Sequence, residues 1–269
     1  MLSHTILFGV LLLVTLQLFS IKHSELSVSI LNVGQGDSIL IQTPEYKNIL
    51  IDAGENSQVI DELGSKINFF DQTIDLAIIT HPHRDHFGGF LDVMQKYPIK
   101  RFMLTGASAS DPMYTALLDA IKTQKIPIIF PNNDKDLQIG KNSYLDIIYP
   151  LKDQNLLGQN VDNKNNTSIV ANLITNNKSQ ILLTGDAEHE EEREILLSGQ
   201  NIQSPILKLG HHGSRTATSN EFLSAVSPQT AIISAGINNK FDHPHQETLD
   251  KLSDIEILQT INGTIEFSF

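Results

Sequence analysis

The chain has 269 residues, 40% of them hydrophobic and 19% charged, enough apolar material for one large globular core or two small ones. Nineteen basic against 31 acidic side chains leave a net charge of −12, which excludes bulk nucleic-acid binding through a basic surface; a polyanion would have to meet a local patch or bound cations. Cysteine is absent, so disulfides and thiolate metal sites are excluded as well.

Residues 6–21, "ILFGVLLLVTLQLFSI", carry no charge. With the residues before them they reach the length of a spanning helix, about 17–25 apolar residues. No Lys or Arg precedes Lys22 and no Ala-x-Ala pattern follows. The expectation is therefore a single uncleaved N-terminal membrane anchor over 1–23, with a cleaved signal and a secreted product as the alternative. The remainder, 24–269, reads as one domain. "LSVSILNV" (26–33), "SILIQT" (38–43) and "NILIDA" (48–53) predict strands, rich in β-branched residues and broken by "GQGD" and "PEYKN". A helix is expected over 56–68, a strand over 76–80 and a helix over 88–96. Strand 99–105, helix 112–124, strand 126–130 and a hairpin from "LQIG" to "YLDIIYP" follow. A polar loop, 153–166, carries five asparagines. The second half repeats the rhythm: a hairpin 168–186 through "NNKS", a helix opening on "AEHEEE", strand 205–210, a helix near 219–226, strand 231–236, a helix near 246–253, and two closing strands. Two strand-rich halves with helices between them predict two sheets packed together with helices outside.

The polar clusters fall where strands end, where α/β proteins place their sites. "THPHRDHFGG" (80–89) puts His81, His83 and His86 around Asp85, three imidazoles and a carboxylate suited to zinc, iron or manganese. Gly88 and Gly89 are expected to turn the chain sharply. "LLTGD" ends a strand on Asp186, after a glycine that permits a tight turn. "LKLGHHGSRTATS" ends another on His211 and His212, and "FDHPHQ" carries His243 and His245. These clusters hold seven of the ten histidines.

With "LNVGQGDSILIQTP", "ILIDAG", "NNTSIV" and "HPHQETL", these segments run in order from 31 to 249 and resemble the metallo-β-lactamase superfamily, more narrowly the soluble domain of the ComEC family of competence proteins. The resemblance implies a four-layer αβ/βα sandwich with two mixed β-sheets and outer helices, here preceded by an N-terminal hydrophobic helix. It implies two divalent ions, zinc or manganese: His81 and His83 on the first, Asp85, His86 and one of the "HHG" pair on the second, Asp186 bridging. His212 is the expected ligand, with His211 towards the substrate; the residues alone leave that choice open. No histidine stands between His86 and His189 to give the first ion a third imidazole, and water or Asn166 of "NNTS" is expected there. Asp52 and Asn166 are placed behind the ligands, Asp52 orienting the histidine loop.

Two ions about 3.5–4 Å apart can share a hydroxide near neutral pH. Asp85, His211 and His243 are the expected catalytic residues, with Ser214, Arg215 and His245 as substrate contacts. The leading expectation is hydrolysis of phosphodiesters, DNA among them, in a domain facing away from the cytoplasm. The alternatives are hydrolysis of smaller phosphoesters, such as substituents of cell-envelope polymers, and a non-catalytic membrane-tethered binding partner. No protein partner can be inferred.

Overall fold

The computed structural model describes residues 25–69, 71–131, 134–152 and 154–269; the expected N-terminal helix and anchor lie outside the described residues. Among the described residues no helix is long and apolar enough to cross a membrane.

Strands β1 (Ser27–Ile30), β2 (Ile39–Gln42), β3 (Asn48–Ile51), β4 (Leu76–Ile79), β5 (Phe102–Leu104) and β6 (Ile128–Ile129) belong to one sheet. Strands β7 (Leu137–Gln138), β8 (Ser143–Tyr149), β9 (Val170–Thr175), β10 (Lys178–Leu183), β11 (Ile206–Lys208), β12 (Thr230–Ile233) and β13 (Glu256–Gln259) form the other. The last strand, β14 (Ile265–Ser268), returns to the first sheet, so the orders are β14-β1-β2-β3-β4-β5-β6 and β13-β12-β11-β10-β9-β8-β7. The two closing strands of the sequence thus lie in different sheets. Both sheets are mixed: β1, β2 and β3 pair antiparallel and β3 to β6 parallel, while β7 to β10 pair antiparallel and β10 to β13 parallel. Asn176 and Asn177 turn the β9–β10 hairpin, both with positive φ, as a two-residue turn matched to strand twist requires.

Alternation of side chains divides the core into three layers. Ile30, Ile39, Ile41, Ile49, Ile51 and Ile78 meet Leu145, Ile147, Leu173, Ile181 and Leu183 between the sheets. The opposite face of the first sheet, Leu40, Leu50, Ala77 and Phe102, is covered by Val59 and Leu63 of helix Gln58–Lys66, by Phe90 and Val93 of helix Phe90–Lys96, and by Leu117 and Ile121 of helix Pro112–Thr123. Outside the second sheet, Ile195 of helix His189–Ser198 and Phe222 of helix Asn220–Val226 pack on Leu182, Leu207 and Ala231. Burying one such side chain contributes roughly 1.5–3 kcal/mol.

The helix expected over 88–96 is two, Arg84–Phe87 and Phe90–Lys96. Gly88 and Gly89 have ordinary helical angles and make no sharp turn. Glycine is needed there for closeness: a Cβ would stand 2.3 Å from the Glu55 carbonyl oxygen at Gly88 and 2.1 Å from that of Ala53 at Gly89. The histidine loop is thereby pressed onto the end of β3. Helix Pro112–Thr123 starts on Asp111, whose carboxylate accepts from the Met113 N–H at 2.8 Å, with Pro112 at the position where no N–H is wanted. The same carboxylate holds Arg84 at 3.0 Å, joining this cap to the histidine loop.

Candidate metal centre

The site lies where β3, β4, β10 and β11 end. Asp186 follows β10 through Gly185, whose φ of +52° lies in the region glycine adopts without strain. Asp186 is buried, and its Oδ2 faces three imidazoles: His86 Nε2 at 3.2 Å, His212 Nε2 at 3.4 Å and His81 Nε2 at 3.8 Å. His81 Nε2 lies 3.1 Å from His83 Nδ1. Asp85 Oδ2 is 3.3 Å from His212 Nε2. His81, His86 and Asp186 offer ligand atoms close enough for one ion; so do Asp85, His86 and His212.

The residues behind these atoms fix their orientation. Asp52 stands in a left-handed conformation, φ 56°, at the end of β3. Its Oδ1 accepts from the Thr80 N–H at 2.8 Å, and its Oδ2 accepts from Thr80 Oγ1 at 2.7 Å and from His86 Nδ1 at 2.8 Å. His86 is thus left with Nε2 facing the site. His212 donates Nδ1–H to the Ser234 carbonyl at 2.9 Å, with Asp37 Oδ1 at 3.5 Å, so its Nε2 also faces inward. Behind Asp37 lies Lys208, fully buried, its Nζ 2.5 Å from Asp37 Oδ2 and 3.3 Å from the Gly185 carbonyl. Lys208 therefore ties the "GQGD" loop to the turn that carries Asp186. Asp37 and Lys208 were not among the residues expected from sequence; a lysine inside the apolar run "PILKLG" is the available signal.

The residues present fit cations. Buried atoms left without a hydrogen-bond partner include His86 Nε2, His212 Nε2 and Asp186 Oδ1, all at the centre of the cluster. Buried polar atoms without partners are rare in folded proteins, because leaving them so is expensive. The acids also draw protons: burial lowers the pKa of His86 and His212, but Asp186, helped by Asp52 at His86 and by Asp37 and Asp85 at His212, outweighs it and holds both well above the ordinary imidazole range. A bound cation would take the place of those protons.

His211 sits beside this cluster, its ring 6.0 Å from that of His212. Its Nδ1 is 2.7 Å from Glu188 Oε1, which also accepts from Thr216 Oγ1 at 2.6 Å. Burial would raise the Glu188 carboxyl, but hydrogen bonds from His211, Thr216, Asn163 and Asn165 hold it at about 2. Glu188, the acid of "TGDAE", was not anticipated. His243 lies 5.1 Å from His211 and 6.1 Å from His212, ring to ring, with Phe241 stacked on it. Burial, then the imidazoles of His211 and His212, push His243 down to about 4.

Three expected residues stand differently. Ser214 is buried, with Oγ bonded to Thr216 Oγ1 at 3.0 Å inside its own loop. Arg215 is exposed and faces Glu247 at 3.6 Å; only its N–H meets His245, at Nδ1. Asn166 bonds Glu190 and the Glu188 N–H, turned away from the imidazoles; its neighbour Asn165 is the one that reaches His211 and Glu188.

Two mixed sheets face to face with helices outside, and a histidine–aspartate cluster at one end of both, make this a protein of the metallo-β-lactamase fold. The superfamily's pattern matches residues 31–143. Over 91% of its length the chain is 33% identical to ComE operon protein 3 of Bacillus subtilis, and over 92% it is 26% identical to competence protein ComA of Neisseria gonorrhoeae. It covers 33% of each, so it spans about a third of the length of these relatives. Among solved structures, the metallo-beta-lactamase fold protein YhfI of Bacillus subtilis superposes with a TM-score of 0.58 at 12% identity, over 90% of this chain and 99% of that one.

Proposed function

We propose that the protein is a metal-dependent hydrolase of phosphodiester bonds, DNA among its substrates, working at a site for two divalent cations. One observation carries the reading: a single oxygen, Asp186 Oδ2, stands 3.2–3.8 Å from imidazole nitrogens of both ligand groups. His81 and His83 would hold one cation, Asp85, His86 and His212 the other, and Asp186 both. When bound, such cations neutralise charge on a phosphoryl oxygen and make a nucleophile available near neutral pH. The rest falls to the chain. Asp52 and the Ser234 carbonyl keep His86 and His212 oriented Nε2-inward. Glu188 accepts the Nδ1–H of His211 and would stabilise its imidazolium form, whose Nε2–H is the proton passed to the leaving oxygen, leaving a neutral ring. His243, roofed by Phe241, lines the approach. DNA is favoured because one relative is named a competence protein. Residues 6–21 would tether the domain to the membrane, facing away from the cytoplasm, which protease added to intact protoplasts tests. The net charge of −12 favours a second reading, a smaller phosphoester.

The test is turnover of the full chain, with manganese or zinc supplied, on single-stranded DNA, duplex DNA and bis-p-nitrophenyl phosphate. DNA cleavage that Asp186→Asn abolishes together with metal uptake supports the proposal. Activity on the small diester alone selects the second reading. Metal uptake with no turnover on any substrate refutes both.

A further inference from the structure

The two halves of the cluster are unequally furnished. Around Asp186, the half with His86 has Asp85 and His212 as well, four donors in all. The half with His81 has His83, three donors in all once His86, which also stands within reach of His81 and Asp186, is counted with the other half. Zinc at a protein site takes four ligands and manganese more. The chain has no histidine between His86 and His189 that could supply another imidazole.

One further side chain there has an oxygen without a partner. Asn165 is buried, 5% exposed, and its Oδ1 is among the buried atoms that lack a hydrogen bond, with His86 Nε2, His212 Nε2 and Asp186 Oδ1. Its amide acts on His83 and its Nδ2 lies 3.2 Å from His211 Nδ1. The orientation of that amide is not free. Nδ2 is 3.3 Å from Glu188 Oε1, and an ionised carboxylate can only accept, so the nitrogen must face Glu188 and the oxygen must face the other way. The backbone is fixed too: the Asn165 N–H donates to Asn163 Oδ1 at 3.1 Å, and the Asn165 carbonyl accepts from Ser168 Oγ at 2.7 Å. Competing oxygens are occupied. Ser168 Oγ accepts from the Asp186 N–H at 3.0 Å, and Thr80 Oγ1 donates to Asp52.

We propose that the side-chain oxygen of Asn165 is a ligand of the first cation, completing the set of His81, His83 and Asp186. The inference rests on the two-cation reading above. A neutral amide oxygen is a harder and weaker donor than an imidazole, suited to manganese more than to zinc. The two positions should therefore fill in order, the second group first. Asn165 would also couple the metal site to the Glu188–His211 pair, since one amide serves both, oxygen on the ion and nitrogen on the carboxylate.

The experiment is manganese titration of the full chain, followed by electron paramagnetic resonance of the free ion and by elemental analysis, for wild type, Asn165→Ala, Asn165→Asp and His83→Ala. Melting of the metal-free proteins checks folding. Wild type should take up two ions. Asn165→Ala should keep one at wild-type affinity and bind the other at least about 10–100-fold more weakly, the loss that removing even an outer hydrogen-bond partner of a ligand brings. Asn165→Asp keeps an oxygen in place and should retain both ions, although it loses the amide donor to Glu188. His83→Ala should lose the same ion as Asn165→Ala. Two ions bound by Asn165→Ala at wild-type affinity would overturn the assignment, as would loss of the first ion by folded Asn165→Asp. Failure of the two-cation reading looks different: wild type itself would bind fewer than two ions, and His83→Ala would change nothing.

Discussion

Removing the Lys208 ammonium should destabilise the protein more than any surface substitution. Lys208 and Asp37 are both buried, with Nζ and Oδ2 2.5 Å apart. At an effective dielectric of about 20, unit charges at that distance attract by roughly 6–7 kcal/mol, most of it offset by what desolvating the two groups costs. The loss that matters is the charge left behind. Burial raises the Asp37 carboxyl, and Lys208 is the first of the groups that outweigh burial and keep it ionised. Lys208→Met should therefore cost about 3–5 kcal/mol, the range for stranding one partner of a buried pair, and Asp37→Asn about the same. The double variant strands neither charge. Its loss should fall well short of the sum, with a coupling energy near the upper end of the ~0.5–3 kcal/mol seen for contacting residues. Urea unfolding of the four proteins at saturating manganese measures this. Additivity within about 0.5 kcal/mol would show that the pair is not coupled and that the structure's account of Lys208 is wrong.

Glu188→Gln should keep the metals and lower turnover by between about 10² and 10⁴-fold, most for substrates with poor leaving groups; unchanged turnover would remove His211 and Glu188 from the chemistry. His243→Ala should also keep the metals and lower turnover, and loss of an ion would make His243 a ligand. Glu191 is buried, and burial, opposed by the Ser168 N–H and reinforced by Glu194, Glu192 and Asp186, raises its carboxyl well above the ordinary range. The folded protein then holds a proton that the unfolded chain releases at the ordinary carboxylate pKa, so this stability is complete below that pKa and declines as pH rises toward the folded value. Glu191→Gln should accordingly gain more over wild type at pH 8 than at pH 5 in urea unfolding, and an equal difference at both would refute the assignment.

What could be read from the sequence was what the chain keeps contiguous. His81, His83, Asp85 and His86 lie within six residues behind one apolar strand, so their density alone marked a candidate site, and the fold brings His81, Asp85 and His86 to the cluster around Asp186. Strand and helix rhythm gave the two-sheet sandwich, because periods of two and 3.6 residues survive any packing. Partners joined only by the fold were not legible. Asp37 and Lys208 are 171 positions apart, and "GQGD" reads as a turn until Lys208 is set behind it. The choice between Asn165 and Asn166 was beyond reach for a local reason. They stand in a 3-10 turn, Lys164–Thr167, where successive residues are rotated by about a third of a turn, so one can face the imidazoles while the other faces Glu190. In the sequence Gly88 and Gly89 read as a sharp turn, but the contacts that demand glycine, with Glu55 and Ala53, come from packing.

The distribution of strain and charge gives the site a common logic. Asp52, His211 and His212 all have left-handed backbone, with φ of 56°, 46° and 55°. Such residues cost on the order of 1–3 kcal/mol each and persist where their surroundings over-determine them. Here each side chain is held by a hydrogen bond at the cluster: Asp52 by Thr80 and His86, His211 by Glu188, His212 by the Ser234 backbone carbonyl. Four carboxylates, Asp37, Asp52, Asp85 and Asp186, meet in this volume, against the Lys208 ammonium and two imidazoles, His86 and His212, that these acids hold well above their ordinary pKa range. An excess of negative charge held in fixed geometry repels an anionic substrate and attracts cations. In a chain of net −12, affinity for the anionic substrate proposed above is thus expected to depend on bound cations.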